Sequence, residues 1–283
     1  MYNLIKKSLF VSFVLLVIAL PLQGQVKVGI LPRLAPTELT KMFTPLAEHL
    51  GKMIGQPIEL VIPKDFDTFN QMMKDGKFDY AYANPNIYSD ARASLGASVE
   101  PLAIAVEGAG GKTFTGCFLV KKGSPIKKVA DFKNKKLIFV DENSAGGYLS
   151  QIYTMMQTGL SKKDVTILPF AKKHTNVALA VQNGSADIGG IRTADFEKIK
   201  SQVNIPDVQI LSESAGMPNW PFFSLPNSKK DITEKIKRAI LSIKPNSPEA
   251  KSILNEAKLS GFLPASDADF NIMRKIAQSA NSF

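Results

Sequence analysis

The chain has 283 residues, 45% of them hydrophobic, with a formal charge of +10, two histidines and a single cysteine. That is enough for one large or two medium domains, and one cysteine excludes both a disulfide framework and a multi-cysteine metal site. The lysines fall in helix-like surface patterns ("IKKVADFKNKK", "KKDITEKIKRAI") with no long basic run and no aromatic-interleaved stripe. This suits a solvated basic surface that attracts anions and argues against nucleic acid.

The chain begins with a basic stretch, "MYNLIKK", followed by 15 apolar residues, "SLFVSFVLLVIALPL", and then "QGQ". That order is the pattern of a secretory signal peptide, and its apolar core falls short of the ~20 residues that span a bilayer. Residues 1–24 are therefore expected to be a signal peptide and the rest an exported, periplasmic protein. Leu22 and Gly24 do not form an A-x-A pair, so an uncleaved N-terminal anchor stays open as the alternative. Removing Lys6 and Lys7 takes the charge from +10 to +8.

Residues 26–31, "VKVGIL", predict a buried strand. Over residues 37–52, Leu39, Met42, Phe43, Leu46, Ala47 and Leu50 recur at helical spacing, with Thr37 as the expected N-cap after Pro36. A strand "IELVI", a helix over residues 67–74 and a strand "DYAYA" follow. The alternation returns at "KLIFV", "VTILPF", "ADIGGI" and "VQIL", which predicts βαβ units with parallel strands. Cys117 stands in the apolar run "CFLV" and is expected to be a buried structural thiol. Near the end Ile232, Ile236, Ile240 and Ile243 share one helical face, and a last helix is expected after Ser266.

Residues 66–84 and 174–192 echo one another. Each has a helical run ending at a glycine (Gly76, Gly184) suited to a left-handed cap, then an Asp (Asp79, Asp187) that opens a strand. Phe66 and His174 lie 13 residues before that Asp, and Asn84 and Arg192 lie five after it. This reads as the same β-α-β unit used once in each of two lobes. Ligands of open α/β sheets sit beyond the carboxyl ends of the strands, where these four residues stand. The stretch "FVDENSAGGYLSQIY" adds Ser144, Ala145, Gly146, Gly147 and Tyr148 at the same level. It reads either as a helix N-terminus offering backbone N–H groups to an anion or as a tight strand–helix connection.

Enzyme motifs fail on particular residues. "LSESAG" lacks the first glycine of a nucleophile elbow because Ser212 stands there, and "EGAGGKT" has Val106 where a phosphate loop needs glycine. His49 and His174 make no zinc spacing, and no acid is evident to orient a Ser144–His174 dyad.

The segments "PLAEHLGKMIGQPIELVI", "GKFDYAYANPNIY", "VKKGSPIKKVADFKNKKLIFVDENSAGGYL", "HTNVALAVQNGSADIGG" and "FLPASDADFNIMRKIA", in this order, resemble the phosphonate/phosphite/phosphate-binding family of ABC-importer solute-binding proteins. The resemblance implies an α/β, two-lobed type II periplasmic-binding-protein fold, each lobe a mostly parallel sheet flanked by helices. Residues 25–112 with 223–283 would form one lobe and 113–222 the other. It implies a protein that carries a small anionic solute to an ABC permease, or alternatively docks on a membrane sensor kinase; a monomer is expected of a protein that must close around a solute, and no cofactor or metal is expected. It places the anion at Ser144 to Gly147, with His174 in contact. Ala145 and Gly146 stand where the family usually has hydroxyl residues, Phe66 where many members have tyrosine, and Trp220 near an acidic residue that holds the amine in some aminoalkylphosphonate binders. Tyr82, Tyr88, Tyr148, Phe66 and Trp220 are then candidate walls, Asn84 a polar contact and Arg192 an anion partner. An organic ligand without phosphorus is a further reading.

Overall fold

A computed structural model describes residues 24–107, 111–245 and 247–283. Apart from Gly24, the expected signal segment lies outside the described residues.

Strand β1 (Val26–Ile30) buries all but Lys27 and passes to α1 (Pro36–Ile54), whose buried face is the predicted Leu39, Met42, Phe43, Leu46, Ala47 and Leu50. The helix starts two residues earlier than its cap predicts: Ala35 is the N-cap in place of Thr37, and Pro36 is the first helical residue. Proline's fixed φ suits that position and its missing N–H has no helical partner to lose. Then come β2 (Ile58–Val61), α2 (Phe66–Lys74), β3 (Tyr80–Tyr82), α3 (Pro85–Leu95) and β4 (Pro101–Val106).

The chain next builds a second sheet from β5 (Thr113–Lys121), β6 (Lys136–Ile138), β7 (Thr166–Ile167), β8 (Ile188–Arg192) and β9 (Val208–Pro218). Its helices are α4 (Ser150–Gln157), α5 (His174–Asn183) and α6 (Thr193–Gln202). It returns to the first sheet through β10 (Pro221–Ser224), and ends with α7 (Lys230–Leu241), α8 (Pro248–Ala257), β11 (Gly261–Leu263) and α9 (Asn271–Ala280). The first sheet has the order β11-β4-β10-β3-β1-β2 and the second β7-β6-β8-β5-β9. β1, β2 and β3 are mutually parallel, as are β6, β7 and β8. The reversed strands are β5 and β10, which follow the two crossings between sheets, and β11.

Two expectations shift. Pro221 and Phe222 already pair in the first sheet, two residues before the expected 222/223 boundary. The strand expected at residues 208–211 runs on to Pro218, because it pairs along β5; as an edge strand it tolerates the polar residues Ser212, Glu213 and Ser214.

The echo between lobes extends to its hydrogen bonds. Asp79 accepts from the Lys27 N–H and Asp187 from the Lys136 N–H, both at 2.8 Å, so each carboxylate pins its own loop to the start of the neighbouring strand. Gly76 (φ 65°) and Gly184 (φ 81°) are left-handed, as the helix ends require.

Cys117 is fully buried on β5, and burial pushes its thiol up to about 12. Thiolate is the reactive form. Ellman's reagent at pH 8 is expected to label the native chain negligibly and the urea-unfolded chain at one equivalent; rapid native labelling would show that the second sheet opens.

Candidate functional site

Between the sheets, at the carboxyl ends of β1 and β8, lies a group of buried polar residues. Ser144 caps the turn after β6: its Oγ accepts from the Gly147 N–H at 3.1 Å. Residues Ala145–Leu149 form a wide first turn that runs straight into α4, with Leu149 N–H reaching back to Ser144 O and Ser150 N–H to Ala145 O. The turn is wide because its carbonyls are held elsewhere. Gly146 O accepts from Gln151 Nε2 at 2.8 Å and Gly147 O from the Val140 N–H at 3.1 Å. Such widened turns concentrate at functional positions. Ala145 and Gly146 are buried, and among the described residues their N–H groups meet no protein acceptor. A Cβ on Gly146 would lie 2.8 Å from the Phe114 ring and 3.3 Å from Arg192 Cβ. The hydroxyl side chain that the resemblance leads one to expect there is thus displaced by Phe114 and Arg192.

His174 opens α5 and is 2% exposed. Its Nδ1 accepts from the Arg192 N–H at 3.2 Å, so the neutral imidazole carries its proton on Nε2 and offers a donor. Burial holds its pKa down to about 4, with Arg33 and Arg192 pressing the same way against Asp195. With Nδ1 taken by the Arg192 N–H and the proton on Nε2, neither ring nitrogen is free to accept a proton from Ser144. Lys172, two residues earlier, is held in the left-handed region (φ 63°) and bonds Asp141 at 2.9 Å and Asp67, on the first lobe, at 3.2 Å.

Arg192 ends β8 and is 3% exposed. It pairs with Glu107 at the end of β4 and, at 3.4 Å, with Asp195 on α6. Asp195 in turn pairs with Arg33, which follows β1. Burial pushes the Asp195 carboxyl up, but the two guanidiniums overcome it and hold the group below its ordinary range. Both arginines lie over the Trp220 ring, Arg33 at 5.2 Å and Arg192 at 5.4 Å from its centroid, and Tyr82 packs against the same ring at 5.5 Å. Burial pushes the Tyr82 phenol up, so it stays a neutral donor.

The structure therefore gathers Ser144 to Gly147, His174, Arg192, Trp220 and Tyr82. Asn84 meets the group from the other lobe: its Oδ1 caps α3 and its Nδ2 donates to Asn143 O at 3.1 Å. Phe66 is 1% exposed, in the same apolar core that holds Tyr82 and Trp220. Two expected walls stand elsewhere. Tyr88 is packed between Phe223 and Phe270 and donates its hydroxyl to Asp267 at 2.7 Å. Tyr148 stacks edge-on against Phe139 and Phe170 and lines a separate pocket with Glu142, Lys162 and Phe283. Sequence reasoning missed Arg33, Glu107, Asp195 and Asn219. Arg33 and Glu107 follow the carboxyl ends of β1 and β4, and that position was the available signal.

Among the described residues there is no cluster of metal-binding side chains and no helix long and apolar enough to cross a membrane. Two α/β lobes closed over a cleft of buried donors define a bilobed solute-binding protein. The family described as "ABC transporter, phosphonate, periplasmic substrate-binding protein" matches residues 28–270, and the chain belongs to it. The chain is 25% identical over 256 residues to the phosphonates-binding periplasmic protein of Escherichia coli (strain K12), covering 88% of this chain and 75% of that protein. It is 28% identical over 162 residues to the phosphate-import protein PhnD of Mycolicibacterium smegmatis, covering 54% of this chain and half (50%) of that one. The fold matches PhnD1 from Prochlorococcus marinus, solved with methylphosphonate, with a TM-score of 0.80 at 19% identity, covering 91% of this chain and 98% of that one. The family is one of substrate carriers for transport.

Proposed function

We propose that the chain captures a phosphonate- or phosphate-like oxyanion in the cleft and, as a periplasmic monomer, delivers it to an ABC permease. The observation that carries this reading is the pair of buried, acceptor-free N–H groups on Ala145 and Gly146, beside a neutral His174. Buried backbone donors are almost always paired, and a helix N-terminus with its dipole favours an anion as the partner. Ser144 and His174 would add side-chain donors to the same oxygens. The names of the relatives point to the same ligand class.

Thermal denaturation with phosphate, phosphite, methylphosphonate, 2-aminoethylphosphonate, sulfate and aromatic organic acids tests it. A ligand at 100 times its Kd stabilises by about 2.7 kcal/mol. Phosphorus oxyanions are expected to raise the midpoint. The Ser144→Ala/His174→Ala variant is expected to lose about 100-fold in affinity, from two hydrogen bonds to a charged ligand. Undiminished affinity in that variant would remove these residues from the site.

A further inference from the structure

Arg192, Asn219 and Trp220 are each at least 97% buried, being 3%, 0% and 3% exposed. Each carries a buried N–H donor without a partner: Arg192 Nε, Asn219 Nδ2 and Trp220 Nε1. They are neighbours. The Arg192 guanidinium lies 5.4 Å from the Trp220 ring centroid, and the Trp220 backbone N–H donates to Asn219 Oδ1 at 2.8 Å. Against these three donors stands one unpartnered acceptor on the same group of residues, Asp195 Oδ2. A pocket of about 300 Å³ adjoins, lined by Arg33, Glu107, Arg192, Asp195, Lys198 and Lys258 among others.

An ammonium has three donors and no acceptor, so it would leave all three protein N–H groups unpaired. A carboxylate is acceptor-only and can take all three. Arg192 is at present neutralised by Glu107, whose side chain is 14% exposed and so sits at the rim. A carboxylate arriving with the ligand can take its place while Glu107 turns to solvent, and Arg192 keeps an anionic partner throughout.

Resting on the oxyanion reading above, we infer that the solute has a second anionic pole: it is a short phosphonocarboxylate-type acid whose carboxylate is bound by Arg192, Asn219 and Trp220 and competes with Glu107 for Arg192. Both ends of one molecule are then read from the second sheet, the turn after β6 taking the oxyanion and Arg192, at the end of β8, with Asn219 and Trp220, just after β9, the carboxylate.

Isothermal titration of the wild-type chain and of Glu107→Gln with methylphosphonate, 2-aminoethylphosphonate and 3-phosphonopropionate tests this. In the wild type, 3-phosphonopropionate is expected to bind about tenfold tighter than methylphosphonate, the value of one added charge-assisted contact net of displacing Glu107. 2-Aminoethylphosphonate is expected to bind no tighter than methylphosphonate. Glu107→Gln removes the competing charge and is expected to tighten 3-phosphonopropionate by about fivefold or more beyond any change it makes for methylphosphonate. The inference falls if 2-aminoethylphosphonate is the tightest ligand, or if the variant shifts all three ligands by the same factor. Methylphosphonate binding with no gain for 3-phosphonopropionate overturns the second pole alone. No binding by any phosphonate overturns the oxyanion reading together with it.

Discussion

Replacing Asp195 by alanine is expected to cost about 3–5 kcal/mol of stability, a fall of about 10 °C in Tm for a chain of this size. Asp195 is 2% exposed, and its Oδ1 is shared by Arg33, from the first lobe, and Arg192, from the second. Without it Arg192 retains Glu107, but Arg33, 5% exposed, is left among the described residues with the face of Trp220. A cation–π contact yields ~2 kcal/mol when desolvated and does not restore what a buried guanidinium loses. The cost is thus the unpaired charge rather than the net worth of the pair, which predicts a second result. Arg33→Met/Asp195→Leu, which removes both charges and keeps the volume, is expected to recover most of the loss. Urea unfolding followed by circular dichroism measures all three chains. A loss under 1 kcal/mol in the single variant would show that the cleft stands open in solution, with Arg33 and Asp195 apart.

The same network explains what could be read along the chain and what could not. Helix α1 was legible because its buried face is a local period, and the β-α-β echo because Asp79 and Asp187 do the same job a fixed distance from their glycines. Ser144 to Gly147 and His174 were legible because a strand end followed by a helix start is a local pattern. Arg33 and Asp195 were not: they are 162 residues apart, and nothing near either says that the other will neutralise it. Tyr88 shows the converse failure. It stands one helical turn beyond Asn84, which does reach the cleft, yet its ring is turned inward by Phe223, Phe270 and Asp267, the last 179 residues away. Gly146 is a third case. Its want of a hydroxyl side chain looks like a defect in the proposed anion site until Phe114 and Arg192 are seen to fill the space.

His174 is expected to make the folded chain lose about 3 kcal/mol as pH falls from about 6.5 to 4. In the unfolded chain the imidazole takes up a proton near pH 6.5; in the folded chain burial delays this to about pH 4. Over that window the unfolded state binds more protons, so stability rises with pH and is lost as acid is added; above pH 6.5 both states are neutral and His174 contributes no slope. Asp195, held below its ordinary range, acts in the same direction at lower pH. The variant His174→Asn retains a side-chain acceptor for the Arg192 N–H but cannot titrate. Urea titrations at pH 7, 6, 5 and 4.5 are expected to show the wild type losing stability faster than this variant, the gap widening steadily below pH 6.5. Parallel curves would mean that the imidazole is solvated and titrates normally. That outcome would also count against His174 as a neutral donor to a bound oxyanion, because a solvated, protonating ring stands outside the closed cleft.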